Sequence, residues 1–163
     1  MDVIDIYFRH AGPAGQLSNL TKNPFIMDKI FFGSTEGFLQ GLREKNPEIQ
    51  KEIFALDGVK AKKSGAIRPI KNQTLYWQGR PFDRHSEFYQ ELLHRMYMNC
   101  FVQNEKYQKA LYETLGKKLI HSIGKSDPFD TILTEQEFIG NLDRIRTKYS
   151  RYLELKYGYN PLT

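Results

Sequence analysis

Apolar positions come in short runs near the N-terminus and recur mostly at helical spacing further on. Val3 to Phe8 (VIDIYF) carries β-formers in partial alternation and predicts a short strand. Ala11 to Gly15 holds Gly-Pro and a second glycine, a loop by composition. Leu17-Ser18-Asn19-Leu20 is polar at its centre and reads as a turn. Pro24 to Met27 and Ile30 to Phe32 flank Asp28-Lys29 and predict a hairpin. A helix follows from Ser34 to about Glu44. Ser34 suits the N-cap, because its hydroxyl can accept from an orphan backbone N–H of the first turn. Phe38, Leu39 and Leu42 would face the core. Asn46-Pro47 restarts a helix running to about Ala55, with Ile49, Ile53 and Phe54 inward. Asp57 to Ser64 predicts another, ended near Gly65. Pro69 to Leu75 reads as irregular, punctuated by Trp77-Gln78-Gly79-Arg80-Pro81.

Asp83 to Gln103 predicts a long helix with Phe88, Leu92, Met96 and Phe101 near a 3.6 period, widened by Leu93, Tyr97 and Cys100. Asn104 can cap the next helix, Glu105 to Leu115, with Tyr107, Ala110 and Leu111 inward and Gly116 just past its end. Leu119-Ile120 is a short apolar piece, and Gly124 to Asp130 a polar loop holding Asp127-Pro128. Thr134-Glu135-Gln136-Glu137 is a capping box. The helix behind it carries Phe138, Ile139, Leu142, Ile145, Tyr149 and Leu153, with Gly158 to end it. The expected fold is mainly α: a compact multihelical single domain with a short N-terminal β-hairpin and strand region.

Composition narrows the class. With 163 residues, 40% hydrophobic and 26% charged, the chain is long enough for one core and is expected to be a globular domain. A net charge of +5 suits a phosphate-bearing partner without being a nucleic-acid signature. The single cysteine, Cys100, excludes an internal disulfide framework and reads as a small buried hydrophobe. No run has the apolar length of a membrane span. Asp2 and Asp5 stand where a secretory signal would be basic, so a cytoplasmic location is expected.

Candidate chemistry is sparse. The four histidines, His10, His85, His94 and His121, pair with no cysteine or carboxylate at a ligand spacing, so no metal is expected. No Gly-rich phosphate loop and no nucleophile elbow is present, so no cofactor is expected either. Lys60, Lys62 and Lys63 read as a solvated face. On the Ser34 helix, Glu36, Gln40 and Arg43 share one face, with Glu36 in the first turn where the dipole favours a carboxylate. That row is either an ordinary amphipathic face or the wall of a site. Ser18-Asn19, Trp77 and Asp127 each also have a structural explanation: a turn, a core aromatic and a turn start.

In order, however, these pieces resemble a family. An aromatic strand end (Tyr7-Phe8), a Gly loop, Leu17-Ser18-Asn19-Leu20 and a hairpin into Gly33-Ser34-Thr35-Glu36 come first. Gln40, Ala61-Lys62-Lys63-Ser64-Gly65, Trp77, Met96 to Phe101 with Gln103-Asn104, and Ile139-Gly140-Asn141-Leu142 with Ile145-Arg146 follow. This order resembles the NADAR superfamily with its YbiA-type bacterial members, and most of all a branch found in T4-type bacteriophages. The likeness spans about residues 4 to 147. It implies a YbiA-like fold over residues 1–163, with 148–163 as a C-terminal helical extension, in the cytoplasm of a bacterial host.

Members of the superfamily cleave N-glycosidic bonds to ribose, in riboflavin-pathway intermediates or in ADP-ribosylated guanine of nucleic acid. The resemblance places Glu36, Trp77 and Asp127 in the pocket, lined by Asn19 and Gln40 with Ser18 beside them. Glu36 and Asp127 would carry acid/base or electrostatic work on an oxocarbenium-like ribose. Trp77 would stack on a base and Arg43 hold a phosphate. Two departures stand out. Arg43 occupies the place of a lysine proposed to attack the sugar carbon, and an arginine stays protonated and forms no such adduct. Asp127-Pro128-Phe129-Asp130-Thr131 replaces a Trp-Gly-rich loop. Three functions therefore remain open: an N-glycosidase acting on a ribosyl nucleotide or ADP-ribosyl adduct, a non-catalytic binder of a nucleotide or ADP-ribose-like ligand, and a module binding a host protein or nucleic acid.

Overall fold

The computed structural model describes residues 2–66, 70 and 72–159. Its order is β1 (Val3–Asp5), α1 (Pro13–Gln16), β2 (Phe25–Met27), β3 (Ile30–Phe32), α2 (Thr35–Gly41), α3 (Pro47–Phe54), α4 (Gly58–Gly65), β4 (Thr74–Trp77), β5 (Arg80–Asp83), α5 (Glu87–Gln103), α6 (Glu105–Glu113), β6 (Lys118–Ile120) and α7 (Glu135–Tyr157). Helices dominate, and the strands form three separate two-stranded sheets. The β2–β3 hairpin closes through Asp28 and Lys29, both at positive φ (52° and 65°), as a two-residue primed turn requires. Ser34, Asn46 and Asp57 cap α2, α3 and α4 with side-chain oxygens. Thr134 and Glu137 complete the capping box of α7, with bonds of 3.0 and 2.8 Å. Among the described residues no helix is long and apolar enough to cross a membrane.

Several elements differ from expectation. Three residues of the expected Ala11–Gly15 loop, Pro13 to Gly15, join Gln16 in α1, with Pro13 at its first position. The stretch expected to be irregular up to Leu75 and punctuated after it pairs Thr74–Trp77 with Arg80–Asp83. Its hairpin turns on Gln78 and Gly79, at φ 51° and 84°. Pro81 is tolerated because this sheet has only edge strands. Pro69 and Lys71, part of that irregular stretch, lie outside the described residues, as do residues 160–163. The long helix starts at Glu87 rather than Asp83, because Ser86 supplies the cap to Tyr89 N at 3.3 Å. Phe88 is 46% exposed and Ile49 39%, so neither points inward. Phe88 instead meets Phe82 edge-on at 5.0 Å. Asn104 gives α6 no side-chain cap; its amide donates to the Pro24 and Cys100 carbonyls, both at 2.9 Å. Leu119-Ile120 belongs to β6, which pairs in parallel with the N-terminal β1, Ile4 opposite Leu119.

The core is built around α5, whose Leu92, Leu93, Met96, Tyr97, Cys100 and Phe101 are all buried. The position of α2 is fixed by close approach to α3. A Cβ on Gly37 would lie 2.7 Å from the Phe54 carbonyl oxygen, and one on Gly41 would lie 2.3 Å from the Phe54 ring. Only glycine fits at that distance. Gly33 N also donates to Phe54 O at 2.9 Å. The neighbouring face of α2, which carries Glu36 and Gln40, meets α4 at Gly65.

Candidate functional site around Glu36

The turn at Leu17–Leu20 presents Asn19 to the start of α2. Ser18 Oγ accepts from Leu20 N at 3.2 Å and folds that turn. Asn19 Oδ1 then accepts from Thr35 Oγ1 at 2.7 Å and from Tyr97 OH on α5 at 2.9 Å. The Asn19 carbonyl accepts from Glu36 N at 3.2 Å, so loop, helix and α5 are tied at one point. One turn along α2, Gln40 Nε2 donates to Glu36 Oε1 at 2.7 Å. The Gln40 side chain is itself buried, and its Oε1 has no hydrogen-bond partner. That oxygen lies over Gly65 of α4, where a Cβ would come within 1.7 Å of it.

Electrostatics mark Glu36 further. Burial pushes its carboxyl above the usual carboxylate range, and the Gln40 bond, Lys62, Arg43 and His121 only partly pull it back. Burial also lowers Arg43, against the attraction of Glu36 and Tyr89, yet an arginine remains a cation in any such setting. Glu36, Gln40 and Arg43 therefore share one field as well as one helical face. The arrangement offers a carboxyl with raised proton affinity, an unsatisfied amide acceptor and a guanidinium.

The other expected residues are placed differently. The ring contacts of Trp77 are with Phe32, Phe38 and Phe54, at centroid distances of 6.5, 6.2 and 5.8 Å. Phe38 points to the side of α2 away from Glu36, so these contacts tie Trp77 to the aromatic core. Asp127 is exposed, and its Oδ1 accepts from Phe129 N at 2.9 Å within its own turn. Phe129 packs on His85 at 4.1 Å, which docks that loop against the β4–β5 hairpin. The structure thus gathers Asn19, Glu36, Gln40 and Arg43, with Ser18 as support; among the described residues, no ring contact or side-chain hydrogen bond joins Trp77 or Asp127 to them.

Three participants escaped the sequence reading. Lys62 looked like a solvated charge, and Tyr97 like one more core aromatic. His121 had no partner within motif distance. Its partner is Ile6, 115 positions away, whose carbonyl accepts from Nδ1 at 2.8 Å once β1 and β6 pair. No periodicity in the sequence could have signalled that.

Residues 11–147 match the family model described as Bacteriophage protein GP30.3. The chain belongs to that family. It is 42% identical over 149 residues to the "Uncharacterized 17.1 kDa protein in Gp30-rIII intergenic region" of Enterobacteria phage T4, covering 90% of this chain and 98% of that protein. Among solved structures it is similar to the NMR structure of the E. coli protein YbiA, with a TM-score of 0.64 at 14% identity, covering 98% of this chain and 91% of that one. This GP30.3-family chain therefore has a YbiA-like fold, and the resemblance to a phage branch on that scaffold stands.

Proposed function

We propose that this GP30.3-family protein hydrolyses an N-glycosidic bond to ribose in a ribosyl nucleotide or an ADP-ribosyl guanine adduct, with Glu36 as the acid/base group. The observation that carries the reading is the Glu36 carboxyl itself: largely removed from water, raised in proton affinity, and held at 2.7 Å by Gln40. A carboxylate so placed stabilises positive charge building on C1′ and takes a proton from an attacking water as the C1′–O bond forms. The C1′–N electron pair leaves with the base nitrogen, which acquires a proton in turn. Gln40 Oε1, buried without a donor, is suited to accept from a ligand N–H or O–H. Arg43 is suited to a phosphate oxygen and, unlike a lysine, forms no covalent adduct with the sugar.

That substitution favours one second reading: a pocket that holds an ADP-ribose-like ligand without cutting it. Purified protein mixed with ADP-ribosylated guanine DNA, and separately with riboflavin-pathway ribosylamino intermediates, distinguishes the two by chromatography of released base. Release that disappears in Glu36→Gln supports the hydrolase. Thermal stabilisation by ADP-ribose without release supports the binder. Absence of both rejects the site.

A further inference from the structure

Helix α7 carries an exposed basic ridge that the Glu36 site does not use. Arg144, Lys148 and Arg151 follow at spacings of four and three residues, so they stack on one helical face within about 10 Å along the axis. All three are exposed, and none has an ion-pair partner among the described residues. Asp143 pairs with Arg146 at 3.0 Å, and Arg146 turns away from the ridge to the Thr114 and Lys117 carbonyls. The ridge's field reaches α5: burial lowers the pKa of His94, its bond to Asn141 opposes this, and Arg144 and Lys148 push it down further. A positive potential left uncompensated on a surface attracts polyanions.

A second feature lies on the same face. Gly140 sits one turn before Arg144, exposed in the second turn of a 23-residue helix, and a Cβ built there meets nothing within 4 Å. Glycine inside a helix is unfavourable, so neither packing nor helix propensity accounts for it. What it leaves is an open stretch of backbone beside three cations that have no acidic partner among the described residues, Lys148 lying over the Tyr149 ring at 5.5 Å. That shape admits the close approach of a rigid, regularly charged chain.

We infer that the Gly140–Arg144–Lys148–Arg151 face of α7 is a contact surface for the phosphodiester backbone of a nucleic acid, read without sequence preference. Three cations on one rigid helical face within about 10 Å suit contact with successive phosphates, which positions a protein on the strand and carries no sequence information. This inference goes beyond the proposed chemistry and stands or falls apart from it.

Fluorescence anisotropy with a labelled duplex of about 20 base pairs, over roughly 50 to 300 mM KCl, tests it. Each phosphate-neutralising cation contributes about 0.9 to the slope of log affinity against log salt, so Arg144→Gln/Lys148→Gln/Arg151→Gln is expected to flatten the slope by about 2 to 3. The same variant on the labelled single strand is expected to lose about 2. Gly140→Gln fills the open space without altering charge and is expected to weaken binding several-fold at unchanged slope. Glu36→Gln is expected to bind as wild type does, so failure of the glycosidase reading leaves this result intact. An unchanged slope in the triple variant, no binding by wild type at the lowest salt, or preferential capture of polyglutamate over DNA would each overturn the inference.

Discussion

Replacing Glu36 by glutamine is expected to raise the stability of the protein at neutral pH. The carboxyl lies above its usual 4.5 because ionising it in the folded chain places a charge where water is largely excluded. In the unfolded chain that cost is absent. The folded state therefore holds the proton more tightly, and the carboxyl's contribution to stability is fully present below the unfolded pKa and lost as pH rises through the raised folded value. Each unit of upward displacement corresponds to about 1.4 kcal/mol. For a chain of this size, 1 kcal/mol moves the melting temperature by about 2 to 4 °C. Glutamine keeps an amide oxygen for Gln40 Nε2, so the 2.7 Å bond survives while the charge is removed. Thermal melts of wild type and Glu36→Gln at about pH 4 and about pH 7.5 are the assay. The variant should melt several degrees higher at the neutral pH and show no gain in acid. A lower melting temperature at neutral pH would refute the burial argument and leave Glu36 as a carboxylate that stabilises α2 through the helix dipole.

Three further perturbations probe the surroundings. Gly65→Ala puts a Cβ into the position of Gln40 Oε1 and turns that amide away from Glu36; the lost hydrogen bond should displace the Glu36 titration upward, read by carboxyl carbon NMR. Arg84 is buried and bonds Glu137 through two nitrogens, at 3.0 and 2.6 Å, while its Nε donates to Thr131 O at 3.0 Å. Arg84→Gln leaves Glu137 without its cation and should cost about 3 to 5 kcal/mol, a fall of roughly 10 °C in melting temperature. Burial pushes Glu137 up, yet Arg84, the Thr134 N–H and Gln90 outweigh it and hold the carboxyl below its usual range. The stability from that pair is present above the ordinary glutamate pKa and should be lost as pH falls through the lowered value, in wild type but not in Arg84→Gln. Gly140→Ala adds a methyl group in open space on α7 and should stabilise the fold by up to about 1 kcal/mol, seen in denaturant unfolding.

How far the sequence carried these conclusions depends on the range of each interaction. Ser34, Asn46, Asp57 and Thr134 announce their helices because a cap acts within three residues. Asp28-Lys29 marks its hairpin between two apolar runs, whereas Gln78-Gly79 was hidden by Pro81 and by strands with little alternation. Phe88 misled because it fits a helical period while its partner, Phe82, belongs to a hairpin that no pattern disclosed. At the site, Glu36, Gln40 and Arg43 were legible as one helical face. Their burial was not, because it comes from Gly65 on α4 and Tyr97 on α5, brought in by tertiary packing. Trp77 and Asp127 show the converse: the residue types suit a pocket, while Trp77 packs in an aromatic cluster and Asp127 closes an exposed turn.

The two faces of α2 make opposite demands on the fold. One packs so tightly on α3 that Gly37 and Gly41 admit no side chain. The other keeps a carboxyl largely out of water, an amide oxygen with no partner, and a guanidinium in the carboxyl's field. A chain shaped only by stability would place a leucine or a glutamine at position 36 and satisfy Gln40 or remove it, since an unpaired buried acceptor costs about 1 to 3 kcal/mol. These costs fall on three residues of one face and coincide with the point where the Asn19 turn is tied to α2 and α5. Polar strain so concentrated is the expected mark of a ligand site. The melt of Glu36→Gln therefore bears on function as much as on stability. A variant that gains stability while losing ligand would show that the carboxyl is retained for what it does to a bound molecule, and not for its place in the first turn of α2.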